Sequence, residues 1–126
     1  MFVVTIHDSP DTPWLTFDLK DLLECLESKI ERLVWRCSGV ECTGPFAEGI
    51  QSADEKQQTL SAEELTTFAG GVEQVLDGRF EGREAENEEP VLVLRAVESN
   101  HWVVIAKDKD VIRLLRSRFK DVRDAS

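Results

Sequence analysis

Residues 91–106 read VLVLRAVESNHWVVIA, and this stretch decides the fold. Two apolar runs, 91–97 and 101–106, flank Glu98-Ser99-Asn100. Asn100 tolerates the left-handed conformation that short hairpin loops require, so the stretch predicts two paired antiparallel strands. Both runs are apolar at nearly every position rather than at alternate ones. They are therefore expected to be central strands, either covered on both faces or covered on one and contacting a partner on the other.

On the C-terminal side, Asp108 is placed to cap a helix with Val111, Ile112, Leu114, Leu115 and Phe119 turned inward, ending near Lys120. On the N-terminal side, residues 79–90 are charged and include Glu84, Glu86, Glu88 and Glu89, which reads as a solvated loop. Before it, Ser61 and Glu64 form a capping box, and Leu60 and Leu65 a hydrophobic staple, at the head of a helix. That helix has Ala62, Leu65, Phe68, Ala69, Val72, Val75 and Leu76 on one face, with Gly70 and Gly71 turned away. Residues 45–58 show no sustained period and are expected to form a long surface loop.

Further upstream, Trp35 and Cys37 alternate with polar residues in a strand from about Leu33 to Cys42. Leu19, Leu22, Leu23, Leu26, Ile30, Leu33 and Val34 recur with helical spacing behind an Asp18 N-cap. Phe2 to Ile6 form a first strand, ended by the turn-rich Asp8-Ser9-Pro10-Asp11-Thr12-Pro13. The resulting order, β-α-β-α-β-β-α, predicts a single α+β domain spanning residues 1–126, with a mixed or antiparallel sheet of about four strands and three helices packed on it.

Composition bounds the function. With 41% hydrophobic and 32% charged residues, the chain is neither disordered nor membrane-spanning. It carries a net charge of −10, which opposes wholesale binding to nucleic acid or to an anionic membrane and favours basic proteins as partners. The start shows no basic segment leading into an apolar one, so a cytoplasmic location is expected. Cys25, Cys37 and Cys42 are an odd set without repeated spacing, which fits reduced thiols and no structural metal. No cofactor is expected either, since nucleotide-binding and metalloprotease signatures are missing from the sequence.

Residues 101–126 hold seven Lys or Arg against four Asp, a net of +3, leaving −13 for residues 1–100. Lys109, Arg113, Arg116 and Lys120 share one side of the last helix, where they offer an anion contact or merely a solvated face. Arg118 falls within that helix's apolar arc and Arg95 interrupts an apolar strand. Either Arg118 reaches out to solvent at a fraying helix end and Arg95 lies at a sheet edge, or one of them binds a carboxylate from a ligand or partner. His7 and His101 are the only histidines, which leaves little for general-base catalysis. Cys25 lies at the margin of the first helix's apolar stripe, near Lys29 and Arg32, where a lowered thiol pKa is conceivable.

Asp21, Glu24, Glu27 and Glu31 line the outer side of the first helix, and Trp14 sits in a loop between Pro13 and Leu15. These five residues form the expected partner-binding set, with Trp14 as anchor. The leading expectation is a non-enzymatic interaction protein, an adaptor or an immunity-type inhibitor of a basic enzyme. The alternative is a small-molecule-binding or enzymatic domain. Its pocket would lie between the sheet and the 45–58 loop, and Arg95, His101, Arg113, Arg116 or Arg118 would make the polar contacts. A homodimer through Gly70-Gly71 or an edge strand is compatible with the pattern.

Overall fold

In a computed structural model, residues 1–8, 17–98 and 100–125 are described. The strands are β1 (Phe2–Ile6), β2 (Leu33–Thr43), β3 (Leu60–Ser61), β4 (Gln74–Glu84), β5 (Leu92–Val97), β6 (His101–Ala106) and β7 (Val122–Asp124). The helices are α1 (Leu19–Cys25), α2 (Glu27–Ile30), α3 (Ala47–Glu55), α4 (Ala62–Gly70) and α5 (Lys109–Arg118). The strands form one antiparallel sheet in the order β3-β2-β4-β5-β6-β1-β7.

The α+β domain therefore carries a seven-stranded sheet and five helices, not about four strands and three helices. The short edge strands β3 and β7, together with four further departures from the sequence reading, account for the difference. The charged segment after Arg79 is not a loop up to Glu84 but the second half of β4, which lies between β2 and β5. Its inward positions are Gly78, Phe80 and Gly82, so two glycines mask the alternation that marks a half-buried strand. Residues 45–58 contain α3, whose apolar stripe is thin: only Ile50 and Ala53 are buried.

The helix that begins at Ser61 stops at Gly70, and Val75 belongs to β4. A Cβ at Gly71 would strike the Phe46 ring, so glycine is needed here for α4 and the start of α3 to close together. The helix that begins at Leu19 breaks at Leu26 and ends at Ile30. The hairpin at 91–106 is present as expected, but the left-handed residue among those described is Glu98, φ 48°, rather than Asn100.

The caps read from sequence are in place. Asp18 and Asp21 form a reciprocal capping box on α1, Ser61 and Glu64 form one on α4, and Asp108 accepts the Asp110 amide on α5. Where β2 bulges against β4, Gly39 takes φ 61°, and the Val40 amide freed from the ladder donates to Asp54 Oδ2 at 2.8 Å.

One core runs between sheet and helices. Val4, Ile6, Trp35, Phe80, Leu94, Trp102 and Val104 from the strands meet Leu19, Leu22, Ile30, Ile50, Leu65, Val111 and Leu115 from all five helices. All the helices thus lie on one face of the sheet, and among the described residues no element covers the other. Among the described residues no helix is long and apolar enough to cross a membrane.

Candidate functional site

The uncovered face is built by alternation. Since Val4, Ile6, Leu94, Ala96, Trp102 and Val104 point into the core, Val3, Thr5, Val93, Arg95, Val103 and Ile105 point away from it. The register aligns these residues into rows across the strands. One row runs Arg123, Thr5, Val103, Arg95, Arg79, and the next runs Val3, Ile105, Val93, Glu81, Arg36. The centre of the face, on β1, β6 and β5, is therefore mostly apolar. Val93 is itself buried, although it points away from the core.

Both edges of this apolar band are basic. Arg79 donates to Glu81 at 2.7 Å, and Arg123 donates from both Nε and Nη2 to Asp121. Arg95 and Arg36 are exposed and have no ion pair among the described residues. Arg95 stands directly opposite Arg79, a like-charge cross-strand pair of the kind that destabilises a sheet.

At the end of β1, the His7 ring stacks on His101 with centroids 4.9 Å apart, and His7 Nε2 lies 2.8 Å from Thr5 Oγ1. Burial, then Arg123, then His101 hold the His7 pKa below its ordinary value. Asp8 fixes this corner by accepting the Lys120 and Asp121 amides.

The sequence-predicted residues fall into separate places. Trp14 lies outside the described residues. Asp21 and Glu24 flank Arg118, each with an oxygen 3.9 Å from its guanidinium, and Asp21 also caps α1. Arg118 is exposed rather than buried in the apolar arc, because it sits at the last turn of α5. Glu27 and Glu31 are exposed without an ion pair among the described residues. Arg113 pairs with Asp110 at 2.8 Å, and Arg116 with Asp124 at 2.6 Å, so part of the basic stripe of α5 ties the helix to its own chain. Of the expected anion-contacting set, only Arg95 and His101 lie on the uncovered face. Arg36, Arg79 and Arg123 join them there and were not among the candidates. Their period-2 placement on β2, β4 and β7 is the signal that marks them.

A groove of about 810 Å³ opens between α2, the β4–β5 connection and the start of α5. It is lined by Lys29, Glu31, Arg32, Glu86, Lys107 and Val111 among others, and no residue of 45–58 borders it. The region expected to flank a pocket is instead occupied by α3, whose Ile50 and Ala53 are packed into the core.

Thiol and acid chemistry are muted. Cys25 donates to the Leu114 carbonyl at 3.4 Å, and burial raises its pKa despite Arg118, so no lowering by nearby cations is realised. Burial pushes the Cys37 thiol up to about 12. The Asp18 carboxyl is pushed up to about 6, mainly by burial, yet both of its oxygens accept backbone amides, from Leu19 and Val75. It ties α1 to β4 and has no oxygen turned to a substrate. Among the described residues no group of three His, Cys, Asp or Glu is arranged to hold a metal ion. Compared with models of protein families, with curated proteins and with solved structures, the chain finds no match.

Proposed function

We propose that this protein is a non-enzymatic interaction module that docks a partner protein on the helix-free face of its sheet. The observation that carries this reading is the half-buried apolar patch of Val3, Val103 and Ile105 beside the buried Val93, on the face of the sheet that no helix covers. Contiguous apolar surface rimmed by charge is the usual mark of a protein-binding surface. The near-continuous hydrophobicity of β5 and β6 supports the same reading, because a sheet that meets solvent on one face normally alternates.

The opposite, helical side supports a second contact, with a basic partner. Glu27 and Glu31 stand exposed there without an ion pair among the described residues, so their charge remains available for steering. An adaptor with one docking face on each layer accommodates both.

The test is a photo-crosslinking amino acid placed in turn at Val103, Ile105, Glu27 and Ser52, in the full chain expressed in its own host. Adducts with another protein from Val103 and Ile105, and none from Ser52, are expected. A sheet face that yields no protein adduct at either position overturns the reading.

A further inference from the structure

The partner that fits this face is more narrowly defined than "a protein". Resting on the docking surface proposed above, we infer that its occupant is a single amphipathic helix of another protein, with acidic residues along the flank of its apolar stripe that meets Arg95.

The argument starts from width. The band lies on β1, β6 and β5, three adjacent strands spaced about 4.8 Å apart, so it is about 10 Å across, the diameter of one helix. A covering second sheet would extend over β4 and β2 as well. It would take Arg36, Arg79 and Arg95 out of water, and a desolvated guanidinium without a matched acid is costly. One helix lying along β6 covers the valines and leaves the arginine heads wet at its sides.

Charge then sets the flank. On the β4–β5 side Arg95 stands exposed without an ion pair among the described residues, beside Arg79, which Glu81 holds. On the β7 side Asp121 accepts from both Nε and Nη2 of Arg123, so the open positive charge lies on one side of the band. A carboxylate between Arg79 and Arg95 would turn a repulsive cross-strand pair into a shared bidentate site. A second copy of this chain would bring two arginine-bearing faces together. Single-stranded nucleic acid would find no Trp or Phe platform on this face among the described residues, because Trp35, Phe80 and Trp102 point into the core. Among the described residues the only stacked rings on this face are His7 and His101, and the chain carries −10 overall.

The experiment uses the full chain and a helical peptide of about 18 residues, roughly 27 Å long, with Leu and Ile on one stripe and Glu along one flank. A peptide of the same stripe with Lys on that flank, an oligo-dT and the protein alone are run beside it. We expect amide perturbations on β1, β5 and β6 with the Glu-flanked peptide, and affinity at least about tenfold weaker in Arg95→Glu. The milder Arg95→Gln, checked for native fold by circular dichroism, should fall between the two.

Stronger binding of the Lys-flanked peptide, binding of oligo-dT to these strands, or self-association abolished by Val103→Glu would each overturn the inference. Failure of this inference is distinguishable from failure of the docking reading. Protein adducts at Val103 or Ile105 whose trapped segment is not an acidic helix sink the inference alone, whereas no protein adduct at either position sinks both.

Discussion

Arg79 and Arg95 face each other directly across β4 and β5 on the face of the sheet that no helix covers. Arg79 has an acid beside it on its own strand, Glu81, whereas Arg95 has no ion pair among the described residues. Two guanidinium groups at one cross-strand position work against the fold, since like charges directly opposite destabilise an antiparallel pair. Neither the hairpin nor the core requires arginine there, because both side chains point away from it. Their juxtaposition is understandable if an external carboxylate completes the group.

Arg95→Glu replaces the repulsive pair with an attractive one. In the free protein it is expected to raise stability by about 0.2–1 kcal/mol, read as a higher urea midpoint at unchanged slope. The same variant is expected to lose the partner. A destabilised Arg95→Glu protein would mean that the two arginines do not repel in the free state.

Gly82 sits beneath the Trp35 indole. A Cβ there would stand 3.0 Å from Trp35 Cη2 and Cζ2, and Trp35 is fully buried with nowhere to retreat. Gly82→Ala is expected to cost about 1–3 kcal/mol by overpacking. Trp35 Nε1 has no hydrogen-bond partner, so Trp35→Phe forfeits packing but no hydrogen bond. In a double-mutant cycle, Gly82→Ala should therefore cost less in the Trp35→Phe background. Strict additivity would show that the ring is not what excludes the methyl group.

Asp18 makes stability depend on pH. Its folded pKa of about 6 lies above the ordinary 3.8, so the folded state binds this proton more tightly than the unfolded chain does. The resulting stabilisation is fully present below about pH 3.8 and is lost as pH rises through about 6. It amounts to at most about 3 kcal/mol. Asp108 and Asp121, whose pKa values are lowered, act in the opposite sense and are common to wild type and variant. Asn keeps only one of the two acceptor oxygens, so the sign of the difference at any one pH is not the test. Urea midpoints between about pH 4 and 7 should show the stability difference between Asp18→Asn and wild type shifting in favour of the variant towards pH 7. A difference independent of pH would remove the buried carboxyl as its source.

Local signals in the chain were enough to place the α1, α4 and α5 caps, the 91–106 hairpin, β1 and most of β2. Capping boxes, turn residues and uninterrupted apolar runs act within a few residues of themselves, so they are visible without the rest of the molecule. The composition likewise excluded a membrane span by helices. The doubled hydrophobicity of 91–106 left two outcomes open, a layer on each side or a layer and a partner.

The assembled sheet carries its helices on one face, and among the described residues no element lies on the other. β4 and α3 escaped sequence reading because glycines interrupt their apolar pattern, Gly82 of β4 standing against Trp35 and Gly49 of α3 against Phe68, so that the small residue admits a ring rather than adding hydrophobicity. The arginine-bearing face opposite the helices was hidden for a different reason. Arg36, Arg79, Arg95 and Arg123 are scattered along the chain and become neighbours only through antiparallel register, which sets residues distant in sequence side by side on one surface. Which surface that is depends on where every helix buries its apolar stripe. That choice belongs to the packing of the whole core and to no single segment.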